Sequence, residues 1–255
     1  MKIISQLEIL FRQFGFDFRK GFLAISEIPY FIKTVRSYAR AAKNTDFPLG
    51  IRNLRPMLTD RKAQAGYFNS IYFFQDIWAA RKIHDRKPAR HSDVGSSIEG
   101  FVAHVLCFTS IEVIDIRPLQ ISMPGLTFVQ EDATTLSRFE DNSIGSLSSL
   151  HAIEHFGLGR YGDPLSADAY YRAMRSLARV LMPNGRLYFS VPIGRQRVQF
   201  NSQRIFSPLT IIDIFKDLKL VSFSAVNDLG AFIEDARPED FAELKCGCGM
   251  FEFTK

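Results

Sequence analysis

The spacing of apolar positions changes along the chain. Ile3, Leu7, Leu10, Phe14 and Phe18 recur at steps of three and four, the spacing of one helical face. Arg12, Arg19 and Lys20 are interspersed with them, and Gly15 and Gly21 weaken a helix interior. Pro29 is expected to limit the helix's continuation. A second cluster, Tyr67, Phe68, Ile71, Tyr72, Phe74, Gln75 and Trp78, leads into the basic run Arg81, Lys82, Arg86 and Lys87. From residue 90 short apolar runs alternate with amphipathic ones. Strands are predicted to end at Asp93-Val94-Gly95 and to span 111–116, 126–130, 143–149, 186–191, 220–226 and 250–254. Helices are predicted over 101–106 and 166–181, and from Ser207-Pro208 onward, a cap followed by a proline. This alternation predicts an α/β fold: a doubly wound, mostly parallel sheet with helices on both faces. A helical extension, 1–88, precedes that domain, 89–255.

Composition narrows the class. With 255 residues, 46% hydrophobic, 24 phenylalanines and 23% charged, the chain can bury a substantial core and is not of the disordered type. Three cysteines do not make a disulfide framework, so a reducing cytoplasm is expected. No run of about 18 uncharged apolar residues predicts a spanning helix, and the first residues lack the features of a secretory signal. Charge is uneven: residues 1–90 hold 17 Lys and Arg against 7 Asp and Glu, and the remainder 15 against 20. The basic amphipathic segment 1–45 suits either packing against an apolar face or peripheral contact with an anionic membrane. Nucleic acid is not an expected partner, because neither zinc-finger spacing nor an RNA-binding aromatic signature is present.

In doubly wound sheets ligands bind beyond the carboxyl ends of the strands, where this chain places its polar residues. Gly95 would let the backbone turn tightly beside a ligand. Asp115, twenty residues on, would accept both ribose hydroxyls, and Asp132, with the Ala133 amide, would take an adenine. A dinucleotide fingerprint wants glycines at 95, 97 and 100, but position 97 is serine, which hinders a pyrophosphate. The hydroxyls of Ser96 and Ser97 suit the aminoacyl end of S-adenosylmethionine instead.

The run Asp93-Val-Gly, Asp115, Glu131-Asp132-Ala133, Ser149-Leu-His151-Ala-Ile-Glu154-His155 and Met182-Pro-Asn-Gly185 resembles the successive motifs of class I S-adenosylmethionine-dependent methyltransferases. The resemblance covers about 90–255. It implies a Rossmann-like seven-stranded sheet whose last strand is antiparallel, and S-adenosylmethionine as cofactor. It adds Asp93, Ser149 and His151 to the cofactor site. Glu154-His155-Phe-Gly-Leu-Gly-Arg160-Tyr161-Gly-Asp163-Pro and Phe200-Asn201-Ser-Gln-Arg204 look like a branch of that superfamily catalogued as a domain of unknown function and associated with surface-polysaccharide loci.

His151-x-x-Glu154-His155 also matches the inverted zinc-protease pattern, which needs a helix. Here it follows a strand with no third ligand in view, so no metal is expected. The glycine-broken run 157–163 reads as a loop over the carboxyl edge of the sheet. Arg160, Tyr161, Asp163, Asn201 and Arg204 are therefore candidate contacts for a small or sugar-like acceptor, with His155 as base and Glu154 as second choice. Two rival readings remain: a non-catalytic binding module working through the basic extension, and a nicotinamide-dependent sugar-modifying enzyme.

Overall fold

The computed structural model describes residues 2–63, 65–66 and 68–255, the side chains of 2–6 and 8 excepted. Tyr67 and the side chain of Ile3, both used above, lie outside the described residues. The chain forms two compact units, Met1–Tyr67 and Phe68–Lys255.

The first unit holds helices α1 (Lys2–Gln13) and α2 (Phe18–Ala41). The apolar stripe read as one helix is broken at Gly15, whose φ of 82° lies in the left-handed region. Asp17 then caps α2, accepting the amides of Arg19 and Lys20. Pro29 does not stop α2. Its ring is compatible with helical φ, and the bond lost is to the carbonyl of Ile25, an exposed residue that water can serve. Glu27 is the buried residue of α2. Arg61 holds it at 2.5 and 3.0 Å and Lys62 at 2.7 Å, and these hydrogen bonds pull its carboxyl down to about 2.

The second unit opens with helix α3 (Ser70–Arg86), capped by Asn69 and ended by Lys87 in the left-handed conformation. Its strands are β1 (Arg90–Val94), β2 (Ser110–Asp115), β3 (Leu126–Gln130), β4 (Ile144–Leu150), β5 (Leu181–Ile193), β6 (Arg197–Gln199), β7 (Gln203–Ile205), β8 (Lys219–Val226), β9 (Phe232–Ile233) and β10 (Gly247–Thr254). The main sheet runs in the order β3-β2-β1-β4-β5-β10-β8-β9, and β6 and β7 form a separate ribbon. Strands β1 to β5 pair in parallel, and β10 lies antiparallel between β5 and β8. The expected seven strands are therefore present with the last one reversed. The two-residue β9 adds an eighth at the edge.

Alternate residues of β5 face opposite layers. Leu187, Phe189 and Val191 join helices α5 (Ala169–Val180) and α6 (Pro208–Ile214), whereas Tyr188 packs with Trp78, Ile83, Phe101 and Val105. Those last residues come from α3 and from the turn that runs through α4 (Ala103–Leu106). Helix α3, which the sequence reading puts in the extension, thus closes one face of the sheet. Its run Trp78, Ala79 and Ile83 is core packing, and the compact unit starts twenty-one residues before the expected boundary at 89.

Candidate functional site

The parallel strands β1 to β4 end together, and beyond their tips lies a recess of about 830 Å³, open mouth included. Its floor is made by Val94 and Gly95 after β1 and by Ala152 after β4. Gly95 has φ +70°, and a Cβ there would stand 3.0 Å from the Ala152 Cβ, so glycine keeps this floor open. Asp115 and Ile116 line one side, Asp132 and Ala133 the next, and His151, His155, Tyr161 and Asp163 the side beyond β4. Asp115 and Asp132, seventeen residues apart in sequence, thus share one recess, as a nucleoside site requires.

Asp115 is not free. Arg117 donates its backbone amide and Nε to Oδ1 and an Nη to Oδ2, at 2.9, 3.0 and 2.7 Å, while its guanidinium lies 4.5 Å from the Tyr161 ring centroid. The expected ribose acceptor is thereby held by its own loop. Nothing in the local pattern singled out Arg117. The Oδ1 of Asp132 accepts the Thr134 amide in an Asx turn, which leaves its second oxygen for a ligand.

The β1 loop corrects several expectations. Asp93 is fully buried and does not line the recess. It takes the amide and hydroxyl of Ser96 and the hydroxyl of Ser148. Burial pushes its carboxyl up to about 6 despite these bonds. Ser148 is in turn fixed by His91, whose ring lies between Ser146 and Ser148 at 2.7 and 2.8 Å and is kept neutral by burial, at about 3. Ser96 also accepts the Leu150 amide, Ser149 donates to the Val94 carbonyl, and Ser97 caps Gly100 N–H at 3.2 Å. The hydroxyls of Ser96 and Ser149 are taken up in holding the turn, whereas that of exposed Ser97 caps it and keeps its own proton to donate. Because Ser97 already serves that amide, the turn also presents one donor fewer to a pyrophosphate. Gly100 has a different task from the one a fingerprint assigns. A Cβ there would lie 2.3 Å from Asp76 Oδ2, so glycine lets α3 approach.

After β4 the chain enters a 3₁₀ turn, Ile153–His155, not an α-helix, and His151 has φ +50°. The two histidines therefore share no helical face, and the zinc-protease pattern lacks the geometry it needs. Gln75 of α3 fixes the tautomer of His151. The amide nitrogen of Gln75 donates to Asp76, so its oxygen is the acceptor, and it receives His151 Nδ1–H at 2.7 Å and the Ser190 hydroxyl at 2.6 Å. His151 Nε2 is left deprotonated with no hydrogen-bond partner among the described residues, and burial holds the ring neutral, at about 3. The signal for Gln75 and Asp76 was present in the sequence: two polar residues inside the apolar run of α3.

His155 is placed differently. Its Nδ1 donates to the Ser202 carbonyl at 2.7 Å, and its Nε2 faces Glu154 Oε1 at 3.6 Å. Burial lowers its pKa as well. Glu154 is fully buried behind the recess. Neither carboxyl oxygen has a hydrogen bond, and burial raises the group to about 8, so it is protonated at neutral pH.

The loop that follows is braced from within. Asp163 accepts the amides of Gly157 at 2.6 Å and Tyr161 at 3.2 Å. Arg204 donates to the carbonyls of Glu154, Phe156 and Ser166, and Arg160 to that of Ser202. Arg204 and Arg160 therefore hold the loop in shape and lie outside the recess wall. Asn201 is exposed and also outside it, so only Tyr161 and Asp163 of the expected acceptor contacts reach the recess. Gly157 has φ +76°, and a Cβ would stand 2.0 Å from the Ser166 carbonyl oxygen. Gly157→Ala is expected to cost about 3 kcal/mol of stability, read by urea unfolding. A loss below about 0.5 kcal/mol would show that the loop shifts freely. The cysteines take no part in the site. Cys248 is buried, which pushes its thiol up, and it stands 3.9 Å from His151 Nδ1.

Residues 122–234 match the model of a family described as a Caenorhabditis protein of unknown function, DUF268. No curated protein matches by sequence. Among solved structures, the N-methyltransferase NodS from Bradyrhizobium japonicum WM9 in complex with S-adenosyl-L-homocysteine is 13% identical with a TM-score of 0.51, over 72% of this chain and 87% of that one. The 1,6-didemethyltoxoflavin-N1-methyltransferase of Burkholderia thailandensis, with bound 1,6-didemethyltoxoflavin and S-adenosylhomocysteine, is 15% identical with a TM-score of 0.50, over 72% and 79%. The [4+2]-cyclase SpnF is 13% identical with a TM-score of 0.51, over 71% and 81%. At these identities the likeness is one of fold, and a cyclase among the three shows that fold does not fix the reaction. The chain has the Rossmann-like fold of class I methyltransferases, and its segment 122–234, from the loop before β3 to just past β9, matches the DUF268 model.

Proposed function

We propose that this chain is an S-adenosylmethionine-dependent methyltransferase acting on a small or sugar-like acceptor, such as a unit of a surface polysaccharide. The observation that carries this reading is the convergence of Asp115, Asp132 and the Cβ-free floor at Gly95 on one recess. Asp115 and Asp132 supply acceptors for ribose and adenine, and Ile116 and Ala133 supply apolar walls. That two of the structural neighbours contain S-adenosylhomocysteine supports the same choice. When bound, the cofactor supplies a methyl group already activated by its sulfonium.

The chain's own residues then have to orient the acceptor, which, if a hydroxyl, also loses one proton. We assign the orienting hydrogen bond from that hydroxyl to His151 Nε2 in place of His155. Burial that holds the ring neutral at about 3 makes it an acceptor rather than a strong base, and the proton leaves to solvent through the open mouth. Gln75 fixes the His151 tautomer, and the ring's Nε2 has no hydrogen-bond partner among the described residues, whereas His155 is anchored through Ser202 and turned toward Glu154. Tyr161, Asp163 and Arg172 at the mouth offer the polar contacts that a hydroxyl-rich acceptor uses. One observation favours a non-catalytic module instead: Arg117 already holds both oxygens of Asp115.

Calorimetric titration separates these readings. S-adenosylhomocysteine is expected to bind with a Kd of about 100 μM or tighter, and NAD at least about tenfold more weakly. Binding of neither ligand would leave the module, and preference for NAD would point to hydride chemistry.

A further inference from the structure

We propose that the first unit docks on an anionic lipid bilayer through the corner between α1 and α2. Phe14 and Phe16 of that corner are 70% and 61% exposed, and Phe18, Phe22 and Ile25 of α2 are 62%, 74% and 67% exposed. Positions 18, 22, 25, 29 and 32 step by four and three, so they lie along one face of α2. The same face continues with Lys33, Arg36 and Arg40, all exposed.

One helical face is therefore apolar in its first half and basic in its second. A helix of 24 residues is roughly 36 Å long, which separates the two halves by more than the width of a side chain. A tilted helix of that kind buries its aromatic end among acyl chains and keeps its basic end at phosphate level. The acid at the corner, Asp17, is occupied in capping α2, with Arg12 4.0 Å away. Glu27, the acid within α2, is buried against Arg61 and Lys62. Residues 1–67 carry 12 Lys and Arg against 5 Asp and Glu, a balance that complements an anionic surface. No helix among the described residues is long and apolar enough to cross a membrane, so the contact is one of docking at the surface. A second copy of the chain is the other cover for such a face, but it would leave Lys33, Arg36 and Arg40 without the anionic partners that a charged bilayer supplies.

The test is co-sedimentation of the full chain with vesicles of phosphatidylcholine alone or containing about 30 mol% phosphatidylserine. Binding to the anionic vesicles is expected to be at least about tenfold tighter and to weaken between about 0.1 M and about 1 M salt. The triple variant K33Q/R36Q/R40Q is expected to lose about 100-fold toward anionic vesicles, at about one decade or slightly less per cation. The variant F18S/F22S/I25S, which alters only exposed positions, is expected to lose binding to both vesicle types. Equal weak binding to both vesicles by the parent chain would overturn the proposal. So would a concentration-dependent dimer, seen by sedimentation velocity, that F18S/F22S/I25S abolishes without any change in vesicle binding.

Discussion

Glu154→Gln is expected to stabilise the protein by about 3 kcal/mol at pH 7, with a gain that grows toward pH 8 and fades near pH 5. Glu154 is fully buried with both oxygens unpartnered, and burial raises its pKa from 4.5 to about 8. Between those two values the folded chain keeps a proton that the unfolded chain releases. The contribution of the group is therefore complete below pH 4.5 and is lost as pH rises through about 8. Each pH unit inside that window weakens the wild type by up to about 1.4 kcal/mol. Glutamine does not titrate, so its variant lacks that slope. Urea unfolding of both proteins at pH 5, 6, 7 and 8 reads the difference directly, and shifts of Asp76, Asp93, His91 and His151 cancel in the comparison. A difference that stays flat with pH would show that the carboxyl is solvated or paired. Removing the hydrogen-bonding partner of a buried group normally destabilises. Here the group has no such partner, and that reverses the sign.

Asp115→Ala is expected to weaken S-adenosylhomocysteine binding by at least about 100-fold. Two charge-assisted bonds to ribose hydroxyls contribute about 1.5–3 kcal/mol each, or a factor of about 100 or more in Kd together. The pair with Arg117 must first be released, but Arg117 is half exposed and such surface pairs are worth at most about 1 kcal/mol. Arg117→Ala should therefore act in the opposite direction, tightening binding by up to about fivefold. Calorimetry on the two variants provides the check. An unchanged Kd in Asp115→Ala would falsify ribose recognition at this carboxylate while leaving the fold assignment intact. Because the membrane docking surface belongs to the first unit, neither result bears on it.

These two predictions also mark how far the sequence could be read. Gly95, Asp115 and Asp132 were recognisable because each sits at a predicted strand end, and parallel strands deliver their carboxyl tips to one edge. Arg117 was not recognisable. Its choice of Asp115 over solvent is a matter of side-chain rotamers, which spacing does not encode. The serines of the β1 turn show the same limit. Their position was right for a cofactor, but their hydroxyls went to Asp93, Leu150 N–H, Val94 C=O and Gly100 N–H, since buried backbone groups must be satisfied.

What the sequence by itself determined was periodicity: which runs become strands, which become helices, and hence a doubly wound sheet with polar residues at its carboxyl edge. Local patterning suffices for that because strand and helix periods are set by backbone geometry. Burial was decided only in three dimensions. Packing of α3 on the sheet brought Gln75 to His151 and made the helix part of the domain. The turn after β4 sent Glu154 inward and left one imidazole nitrogen of His151 free. These outcomes depend on contacts between residues 76 positions apart in sequence, at which range neither period nor propensity constrains a side chain.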